Sequence, residues 1–230
     1  MQKLARDLRP LPVALICVAV TFGVGGDARA AAVQPADVAF PTSDGGEIHA
    51  HLYGEGDHAV VLAHGAVFDK ESWTPLATKL AEADLKVLAI DFRGYGRSRP
   101  GSQGEARYLD VLAAISYLKE QGTSRVSVVG ASMGGGAVAR AAVAIGPGEI
   151  DRLILLAPVA IPNPEKLHAN RIVYLTAEGD PSLSRTRQQY ERAPEPKTLE
   201  VLSGDAHAQH LFKTDHSQAL VDLILAALAD

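Results

Sequence analysis

The sequence predicts an α/β fold, a doubly wound, mostly parallel sheet with helices on both faces. Short β-rich runs alternate with helical patterns along most of the chain, and that alternation calls for right-handed crossovers that lay helices on a sheet. From "KVLAID" onward most strand candidates are nearly all apolar, as parallel strands covered on both faces are. With 230 residues, 47% hydrophobic and 21% charged, the chain has the material for one sizeable core and falls outside the disordered, collagen-like and disulfide-rich classes.

Past a polar stretch near Gln34 to Asp37, the β-rich runs place strands at "EIHAHLY" (47–53), "AVVLA" (59–63), "KVLAID" (86–91), "RVSVVG" (125–130), "RLILLA" (152–157), "RIVYLT" (171–176) and "TLEVL" (198–202). Between and after them, helical patterns span 73–83, 105–121, 134–145, 182–192 and 217–229. In the last of these Leu220, Leu223, Ile224 and Leu228 make an apolar stripe at helical spacing. The link from Ala157 to Arg171 is too short for a large cap, so the expected organisation is a single domain over 31–230 without one.

Residues 1–30 read as a secretory signal peptide: Lys3, Arg6 and Arg9 precede the apolar "LPVALICVAVTFGV", and "ARA" at 28–30 suits a cleavage site. An uncleaved membrane anchor is the alternative, although that run is short for a bilayer span of about 20 residues. Cys17 follows Ile16 rather than a small residue, which argues against lipid modification of the thiol. Cleavage would put the mature chain outside the cytoplasm with no stable membrane insertion. It would also remove Cys17, the only cysteine, and with it any disulfide or thiol chemistry. Four of 22 basic and two of 27 acidic residues would go as well, leaving 18 against 25. A net charge of −7 argues against nucleic acid as a partner.

Gly130-Ala131-Ser132-Met133-Gly134 is a G-x-S-x-G sequence set between a strand and a helix rich in small residues. A serine on such a tight turn is held up for attack, and glycine two residues either side lets strand and helix approach. A hydroxyl is a poor nucleophile until an imidazole takes its proton, and a third group must orient that imidazole. The partners belong at later strand ends. Asp180 follows "RIVYLT" in "AEGD", and His207 follows "TLEVL" in "SGDAH". Glu178 and Asp205 compete with Asp180 for the third place; the first sits early in its loop and the second only two residues from His207.

With these motifs in order the chain resembles the α/β-hydrolase superfamily over nearly all of its mature length. "HGA" (64–66) follows "AVVLA", "DFRGYGRS" (91–98) follows "KVLAI", "GASMGG" closes the next strand, and "GDAH" (204–207) resembles the usual histidine loop. The resemblance implies a small serine hydrolase without a cap, with Ser132 as nucleophile, His207 as general base and acid, and Asp180 as orienting carboxylate. It also implies an oxyanion hole from the backbone N–H groups of Ala66 and Met133. Ala177 stands where the family usually has glycine.

Other side chains have plainer readings. His64 is expected to hold its loop by hydrogen bonds, and His210 and His216 to be surface or packing groups. Asp91 and Arg93 are expected to brace the loop before the helix at Glu105. Phe68 and Trp73, just past "HGA", are candidates for lining the acyl side of the cleft, with helix packing the equal alternative for Trp73. His49 and His51 share one strand face, but no third ligand is evident, so neither a metal nor a cofactor is expected. The expected activity is cleavage of a small-molecule ester or thioester through an acyl-enzyme. The alternatives are a peptidase, a dienelactone-type hydrolase or perhydrolase, and a non-catalytic binding protein of the same fold.

Overall fold

The computed structural model describes residues 34–229, so the segment that reads as a signal peptide lies outside the described residues. Among the described residues eight strands form one sheet in the order β1-β2-β4-β3-β5-β6-β7-β8. They are β1 (Ala36–Pro41), β2 (Glu47–Tyr53), β3 (His58–Ala63), β4 (Lys86–Ile90), β5 (Arg125–Ala131), β6 (Arg152–Leu156), β7 (Arg171–Ala177) and β8 (Lys197–Leu202). β3 to β8 pair in parallel, while β1 and β2 add an antiparallel hairpin at one edge.

The apolar runs have the physical origin expected of them. Along β3, Ala59, Val61 and Ala63 enter the core on one face and Val60 and Leu62 the core on the other. Both faces are covered. α2 (Tyr108–Glu120) and α3 (Met133–Ala144) supply Val111, Ile115 and Val138 to the first core. α1 (Thr74–Glu82) and α5 (Ser217–Ala229) supply Leu76, Leu80, Leu220 and Ile224 to the second. α4 (Leu183–Arg192) packs outside β7 and β8.

Three features differ from the sequence-based expectation. The polar stretch near Gln34 to Asp37 leads directly into β1, an edge strand that is mostly exposed and buries only Phe40, so it lacks the apolar run that marks its neighbours. The first helix begins at Thr74, because Lys70–Trp73 forms a separate 3₁₀ turn capped by Asp69, whose side chain accepts from the Ser72 N–H. The second begins at Tyr108 rather than Glu105. Between β6 and β7 there is a single 3₁₀ turn, Pro164–Lys166, and no cap.

Candidate active site

The parallel register brings the carboxyl ends of β3 and β5 side by side, Ala63 opposite Gly130, and those of β7 and β8 likewise, Ala177 opposite Leu202. The loops that leave these four ends gather above one end of the sheet, where ligands of doubly wound sheets bind.

Ser132 follows the last residue of β5 and stands at the N-terminus of α3 with φ 51° and ψ −109°. A non-glycine residue held there stores about 1–3 kcal/mol of strain. Two anchors impose it: the Ser132 N–H donates to the Leu156 carbonyl at 2.9 Å, and the Val159 N–H donates to the Ser132 carbonyl at 3.1 Å. The flanking glycines are required sterically. A Cβ at Gly130 would lie 2.6 Å from the Gly134 carbonyl oxygen, and one at Gly134 would lie 2.2 Å from the Ala63 carbonyl oxygen.

His207 leaves β8 and precedes a 3₁₀ turn, Ala208–Lys213, whose first residue also has positive φ, 48°. Its Nε2 lies 2.9 Å from Oγ of Ser132, and its Nδ1 lies 2.9 and 3.1 Å from the two oxygens of Asp180. The Asp180 carboxylate is fully buried and takes a further hydrogen bond, 2.7 Å, from the Ser182 N–H. A carboxylate accepts, so Nδ1 carries the ring proton and Nε2 is left to accept from the Ser132 hydroxyl. Glu178 and Asp205 are both exposed and make no bond to His207.

Beside Ser132 and His207 lies a cleft of about 220 Å³ whose wall includes Gly65, Ala66 and Phe68. Among the described residues the backbone N–H groups of Ala66 and Met133 donate to no protein acceptor; that of Met133 belongs to the first turn of α3, where no carbonyl is available within the helix. Phe68 lines this cleft, tilted against His210 at 5.0 Å. Trp73 does not line it. That ring is buried, packs edge-on against Phe212 at 5.7 Å, and borders a second cavity of about 360 Å³.

His64 is fully buried and holds its loop: Nδ1 donates to the Gly65 carbonyl at 2.8 Å, and Nε2 accepts from the Phe92 N–H at 3.2 Å. Burial keeps its pKa below the ordinary 6.5. Arg93 braces the segment before α2 through the Gly104 carbonyl, Asp110 and Asp44. Asp91 shares that task only through its backbone carbonyl, which accepts from Ser98 Oγ at 2.8 Å; its side chain accepts from the backbone N–H of Lys70 and pairs with its ammonium at 2.9 Å, fixing the turn that leads into α1. His49 and His51 lie beside Glu47 and Asp37, and no group of three or more His, Cys, Asp or Glu side chains among the described residues is arranged to hold a metal. Two residues at the site are not singled out by the sequence, Tyr95 although it lies within "DFRGYGRS". Tyr95 donates to the Ala66 carbonyl at 2.9 Å, and Gln209 binds the Gly65 N–H, each across a long loop closure.

The sequence profile of the alpha/beta hydrolase family matches residues 60–222. The chain belongs to that family. It is 30% identical to the Rattus norvegicus protein ABHD14B over 172 residues, which is 68% of the chain and 78% of the relative. It is 32% identical to the non-heme haloperoxidase of Rhodococcus erythropolis over 120 residues, 51% of the chain and 42% of the relative. The alignments with several curated relatives, the haloperoxidase included, span only 34% to 56% of those relatives' length. In fold, the chain is similar to the esterase Pf2001 of Pyrococcus furiosus, with TM-score 0.73 over 86% of this chain and 91% of that one at 18% identity.

Proposed function

We propose that this hydrolase is a serine esterase that cleaves small esters or thioesters through an acyl-enzyme. One observation carries the reading: a single imidazole bridges the strained Ser132 hydroxyl and the buried Asp180 carboxylate at 2.9 Å on each side. In this mechanism Ser132 Oγ attacks the substrate carbonyl carbon as its proton passes to Nε2 of His207. Asp180 holds the ring in the acceptor tautomer and favours the imidazolium that forms. The oxyanion is met by the N–H groups of Ala66 and Met133, donors that need no reorganisation. Collapse breaks the carbonyl–oxygen bond, and the alcohol leaves with the proton from Nε2. Water then attacks the acyl group, His207 takes its proton, and the acid departs as Ser132 regains its hydrogen.

A cleft of about 220 Å³, with no cap on the β6–β7 connection, suits a small acyl group in contact with solvent better than a peptide chain. A fluorophosphonate probe tests the assignment: it should label the wild-type protein and leave Ser132→Ala unlabelled. An esterase-active protein that resists the probe, or a Ser132→Ala variant that still takes it, would refute the reading. We propose also that cleavage after Ala30 exports the enzyme. Sequencing the mature N-terminus should give Ala31; intact Met1 in a membrane fraction would favour the anchor.

A further inference from the structure

Gln209 sits two residues after His207, in the 3₁₀ turn that His207 precedes, with its uncharged polar side chain only 3% exposed. Its Oε1 accepts from the Gly65 N–H at 2.8 Å, across 144 residues of sequence, and its Nε2 donates to Ser72 Oγ at 2.8 Å. The partners fix which way the amide points. The Gly65 nitrogen can only donate, and the Ser72 hydroxyl has already given its proton to the Asp69 carbonyl, so it can only accept.

Side chains from two other segments thus act on the "HGA" loop together with His64 itself. Gln209 ties the Gly65 N–H, His64 donates to the Gly65 carbonyl, and Tyr95 donates to the Ala66 carbonyl. A trans peptide is planar with its C=O and N–H opposed, so the grip on the Gly65 carbonyl sets the direction of the Ala66 N–H. Gly65 has no side chain to restrict its own dihedrals, and that plane stays put only if the peptide before it is tied as well. Gln209 supplies that tie. Its place in the turn that follows His207 links the aim of the Ala66 amide to the seat of the imidazole.

We infer that Gln209 is a positioning residue that locks Gly65 and so keeps the Ala66 N–H aimed at the oxyanion. The inference rests on the esterase reading above. Gln209→Met keeps length and removes both hydrogen bonds. Its kcat should fall roughly 10- to 100-fold with KM within about twofold, because a misdirected donor is felt in the transition state rather than in substrate binding. Affinity for a boronic acid, which forms a tetrahedral adduct on Ser132, should weaken in step with kcat/KM, while affinity for the carboxylate product holds. Ser72→Ala, which leaves the Gly65 bond and removes the far anchor of Gln209 together with the hydroxyl's own bond to the Asp69 carbonyl, should lose roughly three- to tenfold of kcat; it keeps the test available if Gln209→Met does not fold. Ser132→Ala separates the two failures. Activity retained there overturns the esterase reading, whereas an inactive Ser132→Ala beside Gln209→Met and Ser72→Ala variants of wild-type kcat overturns the positioning role alone. Loss of thermal stability with an unchanged ratio of boronate to product affinity also overturns it.

Discussion

The Nε2 atom of His207 stands 2.9 Å from the hydroxyl oxygen of Ser132, although 75 residues separate them. The proposed proton transfer needs that contact, so His207→Ala and Ser132→Ala should each lower kcat by several orders of magnitude. Both side chains are only partly buried and support little packing, so the melting temperature should stay within a few degrees. Steady-state kinetics on a p-nitrophenyl ester, beside calorimetry, checks both halves. A tenth of wild-type turnover in either variant would contradict the mechanism.

Asp180→Asn tests the orienting role. An amide in that buried position offers Nδ1 a donor or a weaker acceptor and releases the ring from the required tautomer, a change that lowers kcat by about 10⁴ in a serine protease with the same Ser-His-Asp arrangement. A loss of that order is expected here. Glu178→Gln and Asp205→Asn, at exposed positions, should change kcat less than about twofold. Loss of activity in Asp205→Asn comparable to Asp180→Asn would reassign the carboxylate.

Arg93 is 1% exposed and bonds two buried carboxylates, Asp44 at 2.9 Å and Asp110 at 2.7 Å. Hydrogen bonds from Arg93 and Thr42 hold Asp44 well below the ordinary carboxylate range, whereas burial pushes Asp110 above it. Arg93→Met leaves both acids without their cation and should destabilise the fold by about 3–5 kcal/mol. Chemical denaturation measures it. A change under about 1 kcal/mol would mean that the buried charges are compensated elsewhere.

His64 and His58 should make the fold acid-sensitive before its carboxylates do. Burial lowers the pKa of each in the native state, so as pH falls through the ordinary value of 6.5 the unfolded chain takes protons that the native protein refuses. Stability therefore declines below about pH 6.5 and goes on declining until the depressed native values are passed. Asp44, with its own lowered pKa, acts in the same direction only further down, below the ordinary 3.8. The melting temperature should drop between pH 7 and 5, and less steeply in His64→Asn. An unchanged slope in that variant would remove His64 from the account.

Phe68 and Gln209 line both the cleft at Ser132 and the largely apolar cavity of about 360 Å³ beside it. The wild-type enzyme should prefer acetyl to butyryl esters and show no jump in activity at the micellar concentration, since no cap closes over it. Phe68→Ala should join the two spaces and move the preference toward longer chains. Each methylene then buried contributes about 0.8 kcal/mol, roughly fourfold in kcat/KM. Rates from acetyl to palmitoyl esters in both proteins decide it; a wild-type rise to the longest chains would contradict the open cleft.

The parts of this protein that the sequence determined by itself are those encoded by neighbours along the chain. Apolar runs such as Val128–Val129 and Leu153–Leu156 mark strands buried on both faces, and Gly130 and Gly134 announce a turn too tight for a side chain. The edge strand β1 escaped because an exposed strand carries no apolar run. Tertiary structure alone decided which groups meet. The Asp91 side chain turned to Lys70, Trp73 packed on Phe212 away from the cleft at Ser132, and Gln209 reached Gly65. Local spacing cannot encode such pairs. They arise when the sheet register closes loops of up to 144 residues and buried polar groups must find their partners in whatever packs against them.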